Sequence, residues 1–454
     1  MKPIWFFAAV VELTSPGAVS RPGEAGSDTI DAQVERDPNG GFWVPGTSVA
    51  GSLRGHYQAH KDEQTVRRLL GWVEDKTREQ LSGRSPTASA SLIRVLGTRT
   101  VVPDNALSVT IQQTAIDRGR RAARNLTLRS GEFMPVGTRV RIDLVAEDEA
   151  ARDSLRELLP SWRPVIGRSR SNGFGSTDLI QVRWGTLDRA GRAGLRQWLT
   201  TGGPDLVDQV ATTDLPITKA VVEPTSVTVT ASVVEALMIR SGKPETRPGE
   251  PMVTTTMKRG GKPYVPASTL RGFVRSRMEY ILRSLGAPVC LDTGCGECWS
   301  CQTFGFGGLR GGGTVGEGTG RRGRVRFHDA QLKSYQLATR QRNSIDRFTG
   351  GAADQRLWSE EVVEHGRFEI TIDALPLAKD TAAETAERWE EFRALLTLVW
   401  LDVHDGYHRL GGGVTTGHGR LALAGVDLEE ETRRRAIATV RSIVDPSEIE
   451  RAAS

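Results

Sequence analysis

Four cysteines fall within twelve residues, as Cys290-x4-Cys295-x2-Cys298-x2-Cys301, and the chain has no others. Four thiolates at this spacing can close a tetrahedron around zinc, and four filled positions leave no open site for catalysis. A disulfide framework would spread its cysteines along the chain, so the cluster reads as a structural metal site. An iron–sulfur cluster uses similar spacing, but nothing else in the sequence suggests redox chemistry. His328 is a weaker candidate ligand.

A second chemistry is offered by acids in the polar loop after the first apolar run: Asp28, Asp31, Glu35 and Asp37. A carboxylate there can hold a divalent ion, or orient a ribose 2′-OH for attack on the adjacent phosphate. The plain alternative is a solvated loop acid. No Ser-His-Asp, His-Glu-x-x-His or Gly-x-Ser-x-Gly pattern is present.

Other residues suit an anionic chain. Val44-Pro45-Gly46-Thr47-Ser48 opens a helix whose first N–H groups attract phosphate, with Thr47 or Ser48 as N-cap and Arg54 two turns in. Val265-Pro266-Ala267-Ser268-Thr269 repeats this with Arg271. In the loop Gly167-Arg168-Ser169-Arg170-Ser171-Asn172-Gly173-Phe174-Gly175, Arg168 and Arg170 can pair with phosphate and Phe174 can stack on a base. The basic, glycine-rich stretch from Gly305 to Arg324 can wrap a nucleic-acid backbone. The bland readings are a capped helix packed on a sheet, a tight turn and a mobile loop.

These landmarks recur in order. The two helix starts, the segments Ala115-Ile116-Asp117-Arg118 and Ser344-Ile345-Asp346-Arg347, and the loops Gly167–Gly175 and Gly411–Gly419 lie at offsets of 221, 229 and 244. Such slowly growing offsets mark a duplicated domain with insertions in the second copy, not a short-period solenoid. The cysteines belong to such an insertion.

The elements that must position these residues also read alike. Each copy opens on a β-patterned run, Ile4–Leu13 and Ser226–Met238. Later strands fall at 137–146 and 366–374, helices at 148–159 and 382–399, and closing strands at 177–184 and 419–425. The order β-α-β-β-α-β predicts an α+β fold of two tandem ferredoxin-like, RRM-like domains, the second with a zinc-binding insertion. We place the first module at 1–205, a linker at 206–222, the second module at 223–427 and a charged helical tail at 428–454. With 454 residues, 25% of them charged and a net charge of +5, an anionic partner is permitted rather than demanded. The opening apolar run reads as a buried strand, no stretch is long enough to span a membrane, and the protein is expected in the cytoplasm.

Together these residues resemble the RAMP superfamily, and each half is similar to the repeated backbone subunit of type III (Csm/Cmr-like) CRISPR effector complexes. The likeness rests on the Pro-Gly-Thr-Ser helix start, Ile345-Asp346-Arg347-Phe348-Thr349-Gly350-Gly351-Ala352, the cysteines followed by Phe304-Gly305, and Gly323 to Ala330. It implies a CRISPR-associated antiviral ribonucleoprotein subunit. Its partners would be CRISPR RNA, complementary single-stranded target RNA and other effector subunits, including a polymerase-like large subunit. The Ile-Asp-Arg segments would open thumbs on the RNA, with Arg118, Arg120, Arg121, Arg347 and Phe348 as contacts. Ile30-Asp31-Ala32-Gln33-Val34-Glu35-Arg36-Asp37-Pro38 places Asp31 at the catalytic position of an RNA-guided endoribonuclease using Mg2+ or Mn2+. Counting back from Pro266 gives Met252 at the matching position, with Glu250 nearby, so the second module would bind without cutting. A purely structural RNA-binding subunit is the alternative. A nuclease processing CRISPR RNA precursors ranks lower, because such enzymes use a His or Tyr base that the first loop lacks.

Overall fold

The structure is a computed structural model and describes residues 2–20, 30–74, 87–103, 106–117, 120, 122–218, 225–246, 252–291, 294–307, 320–375, 377 and 380–444. Two compact units result. One comprises Met1–Gln113, Leu128–Arg170 and Phe174–Glu223; the other comprises Thr114–Thr127, Ser171–Gly173 and Pro224–Ser454. Both mix helices with antiparallel sheet, the α+β class expected.

The first unit is built on β1 (Ile4–Leu13), β2 (Ile93–Val101), β3 (Arg139–Ala146), β4 (Thr177–Leu187) and β5 (Thr213–Asp214), in the spatial order β5-β4-β1-β3-β2. Central β1 is antiparallel to both neighbours. Its sequence, IWFFAAVVEL, is a nearly unbroken apolar run, the mark of a strand covered on both faces. Trp5, Phe7, Ala9, Val11 and Leu13 face a core shared with α1 (Gly46–His60), α2 (Glu63–Leu70) and α3 (Glu149–Leu158). Ile4, Phe6 and Ala8 face the other way, where α4 (Arg192–Thr200) and α5 (Gly203–Val210) follow in sequence and α5 supplies Leu206, Val207 and Val210.

The stretch expected as a linker from 206 is thus helical to Val210 and then adds β5 to the sheet edge. Asp208 of α5 also pairs with Arg99 of β2 and Arg141 of β3. Pro204 lies in the first turn of α5, where a missing N–H costs nothing.

The second unit centres on β6 (Ser226–Val233), flanked by β10 (Ala352–Ala374) and β11 (Leu421–Ala424). Three more strands pair with β10: β7 (Val253–Thr256) in parallel, and β8 (Val325–Phe327) and β9 (Lys333–Ile345) antiparallel. Strand β6 ends at Val233, five residues short of the expected Met238. Its pattern alternates: Val229, Ala231 and Val233 enter the core, while Thr228 meets Thr371 through a hydroxyl–hydroxyl bond of 3.2 Å. The core lies under α6 (Ala267–Ser284), α7 (Trp299–Phe304), α8 (Ala382–His404) and α9 (Glu430–Val444). A capping box, Thr381 with Glu384, starts α8. The expected helical tail is α9, described to Val444.

Helices α1 and α6 begin at Gly46 and Ala267, with Pro45 and Pro266 at the N-cap and no side-chain cap. The Ser/Thr caps expected from sequence are replaced by one fixed-φ residue that sets the chain direction before the first turn. No helix among the described residues is long and apolar enough to cross a membrane.

Candidate functional site

The same backbone hydrogen bonds recur around corresponding positions. Thr14 N–H donates to Ser176 C=O, and Val234 N–H to Arg420 C=O. Gly17 exchanges both bonds with Met134, and Leu237 with Val363. Gly175 N–H meets Pro16 C=O, and Gly419 N–H meets Ala236 C=O. Arg168 N–H meets Ala18 C=O, and Gly412 N–H meets Met238 C=O. Gly175 and Gly419 both have positive φ, +72° and +84°, and a Cβ on either would stand 2.0 Å from the carbonyl oxygen of Ile166 or Leu410. Only glycine fits these turns.

This frame carries the acid loop of the first unit. Asp31 is exposed. Its N–H donates to Ser130 C=O at 3.1 Å, and its Oδ2 accepts Ser130 N–H at 2.6 Å. Among the described residues nothing is bonded to its other oxygen. Glu132 N–H donates to Ala32 C=O, while the buried Glu132 carboxylate accepts Val34 N–H at 3.0 Å and pairs with Arg36 at 2.5 Å. Asp37 is committed to a turn, its Oδ1 accepting the N–H groups of Asn39 and Gly41. Asp28 lies outside the described residues.

Four expected RNA contacts turn inward. The Arg168 guanidinium donates to Ser20 Oγ, to Ala32 C=O at 3.3 Å and to Glu132 C=O at 3.0 Å, and lies 4.7 Å over the Phe133 ring. Phe174 is 6% exposed and stacked on Phe133 at 4.7 Å, so packing is what this ring does in the folded chain. Arg54 donates to the carbonyls of Leu70 and Gly71 at the end of α2 and lines a cleft of about 390 Å3 with Arg67 and Trp72. In the second unit Arg271 donates to Phe304 C=O. The start of α6 already holds an acid, because Ala267 N–H donates to Asp329 at 2.7 Å and Asp329 pairs with Arg259.

Other expected contacts face outward. Thr47, Arg120, Arg170, Arg347 and Phe348 are exposed, while Ser48, Ser268 and Thr269 are half-buried. Asp117 accepts Arg120 N–H at 2.9 Å, and Asp346 accepts the N–H groups of Phe348 and Thr349. The aspartate of each Ile-Asp-Arg segment therefore shapes a hairpin turn. Arg118 and Arg121 lie outside the described residues, as do 308–319 of the glycine-rich basic stretch. Arg324, from the same stretch, forms a half-buried bidentate pair with Asp380.

The register corrects the match to Asp31. In the second unit Val253 pairs with Ser359 and Thr254 with Glu360; Glu361 accepts Thr256 N–H and pairs with Lys258 at 2.8 Å. Glu361 stands where Glu132 stands, Lys258 where Arg36 does, and Val253, not Met252, where Asp31 does. Counting back from the proline misses by one because the intervening loop is one residue shorter in the second unit. Val253 is fully buried. Glu250 lies outside the described residues.

The Sγ atoms of Cys290, Cys295, Cys298 and Cys301 all lie within 4.8 Å of one another, with separations of 3.4, 3.7 and 3.9 Å among them. A zinc–sulfur bond of ~2.3 Å implies a tetrahedron edge of about 3.8 Å, so the group fits a four-coordinate ion. Burial works to raise the Cys295 thiol, but the N–H groups of Cys298 and Glu297 bring it down to about 7. Cys301 sits in α7, which Ser300 ties to the buried Glu279 of α6. His328 is not a fifth partner; it bonds Asp373 at 2.5 Å. Among the described residues no second group of three or more such ligands occurs. Asp31 therefore offers a divalent ion one carboxylate.

Sequence reasoning missed Gly131, Arg240 and Glu360. The register brings them out, since it sets each against a residue of different charge or size in the other unit.

No curated protein matches the chain. A cryo-EM structure of the type III-B Cmr-beta bound to cognate target RNA is similar over 39% of this chain and 96% of that chain, at 12% identity and a TM-score of 0.31. The family model described as the RAMP superfamily matches residues 230–422, from β6 through the glycine loop to the start of β11.

Proposed function

We propose that the chain is a backbone subunit of a type III CRISPR ribonucleoprotein that holds CRISPR RNA and cuts complementary target RNA at Asp31. In this reading both units are ferredoxin-like RAMP modules that arose by tandem duplication, the first running through α5 and β5 to Asp214 and the second from Ser226 through α9. The recurring hydrogen-bond frame supports extending the family from the second module to the first. The cytoplasm is the expected compartment.

The observation that carries catalysis is the contrast at one register position: an exposed acid pinned to Ser130 in the first unit, a buried valine in the second. A Mg2+ or Mn2+ ion at Asp31 would take its remaining ligands from RNA phosphate oxygens and water, as hard cations do. It would stabilise charge on the scissile phosphate. The chain itself fixes the carboxylate through Ser130. Zinc at the four cysteines is structural and braces α6 against α7.

Assembling the complex with Asp31→Ala and supplying complementary RNA tests this. Loss of one set of cuts with target binding intact is expected. Unchanged cleavage at every position leaves the non-catalytic RNA-binding subunit as the better reading.

A further inference from the structure

Arg168 comes from the glycine loop, where an exposed arginine would be an obvious phosphate ligand. Its guanidinium instead spans three segments of the first unit: Ser20 before the acid loop, Ala32 within it, and Glu132 on the strand Arg129–Phe133. One face rests on Phe133. Ala32 follows Asp31 directly, and Asp31 is bonded to Ser130 of the same strand. The planar fork of arginine suits several fixed acceptors at once. Gly131 makes room for it, because a Cβ there would stand 2.7 Å from Arg168 Nη2.

The second unit holds the inverse set. Gly412 stands at the position of Arg168, Arg240 at that of Ser20, and Glu360 at that of Gly131. Arg240 lies 3.6 Å from where a Gly412 Cβ would be and pairs with Glu360 at 3.2 Å. Arg342 pairs with Glu360 at 3.1 Å and meets the buried His418. Here the arginine comes from the opposite chain segment, is exposed, and neutralises an acid of its own. Only in the first unit does the arginine bond the loop that carries an exposed aspartate.

We infer that Arg168 is a positioning residue: it locks the Asp31 loop onto the strand 129–133 and serves cleavage without contacting RNA. This rests on the reading of Asp31 as the cutting acid. The guanidinium is already bonded on its protein side, and misplacing a reacting group by about 1 Å can cost roughly 100-fold in rate.

The test uses the full chain in its guide-loaded complex. Target affinity and single-turnover cleavage at saturating target are measured separately for wild type, Arg168→Ala, Arg168→Lys, Gly131→Ala and Asp31→Ala. Arg168→Ala should lose on the order of 100-fold in rate with affinity within about twofold. Lysine, a point charge, should restore part of it. Gly131→Ala keeps the charge but crowds the guanidinium, so it should also slow cleavage without weakening binding, and it serves if Arg168→Ala folds poorly. Hydrogen exchange at the amides of Asp31, Val34 and Glu35 should accelerate in Arg168→Ala while β1 stays protected. A tenfold weaker affinity at unchanged saturated rate would make Arg168 an RNA contact and overturn the proposal, as would an unchanged rate beside an inactive Asp31→Ala. If Asp31→Ala itself cuts normally, the catalytic reading fails, and the exchange data still decide whether Arg168 holds the loop.

Discussion

In the first unit the central strand is buried on both faces; in the second it is buried on one. IWFFAAVVEL needs cover above and below and receives it from α1–α3 on one side and α5 on the other. SVTVTASV turns threonines and a serine away from its core. The hydrogen-bond frame around both strands is nevertheless the same, down to the two glycines with positive φ. What differs is the load: an exposed acid and an inward arginine in one, a buried valine and a four-cysteine insertion in the other. A recurring frame therefore constrains where chain segments meet, and leaves free which segment supplies charge. The exchange of Arg168 and Ser20 for Gly412 and Arg240 is that freedom in use.

The largest expected asymmetry lies in the metal. Cys301→Ser removes the buried one of the four thiols and leaves three for the proposed zinc. Structural zinc contributes its binding energy directly to folding, so the second unit should lose on the order of 4 kcal/mol. The first unit has no cysteine and should keep its transition. Calorimetry with metal analysis of the purified protein measures both. Equal shifts of two transitions, or retained stability without metal, would break the contrast.

The glycine pair probes the opposite expectation, sameness. Gly175→Ala and Gly419→Ala each drive a Cβ to 2.0 Å from a carbonyl oxygen at positive φ. Each should cost roughly 3 kcal/mol through strain and displaced backbone. Denaturant unfolding of the two variants should give values within about 1 kcal/mol of each other. A large cost in one and none in the other would mean that the loops share hydrogen bonds but not geometry.

Several of these features were legible in the sequence because residue type decides them. The cysteine spacing marks a metal site, the apolar first run a buried strand, and the paired glycine loops two turns of one kind. What failed was direction and register. Arg168 and Phe174 sit in a loop whose composition suits RNA, yet both side chains turn inward, onto Phe133. Arg324, in a basic stretch, is consumed by Asp380. Met252 came from counting residues to a proline, whereas hydrogen bonds choose Val253. Pro45 and Pro266 took the cap positions assigned to hydroxyl residues. The segment expected as a linker from 206 begins inside α5, whose start at Gly203-Pro204 lies just before it.

The smallest effect separates frame from function most cleanly. Glu132 and Glu361 hold corresponding places, each accepting a backbone N–H and pairing with a basic side chain. Glutamine keeps the shape and an acceptor and removes the charge. Arg36 and Lys258 are partly solvent-exposed and can turn to water, so each substitution should cost only about 1–2 kcal/mol, well below the loss from stranding a fully buried partner. The stability costs should match. Cleavage should not: Glu132 N–H and carboxylate both bond the acid loop, so Glu132→Gln should slow target cutting about tenfold, while Glu361→Gln, beside Val253, should leave it unchanged. If both variants slow cleavage alike, the charge acts through the frame common to both units. If neither does, the loop is held by Arg168 and Ser130 alone.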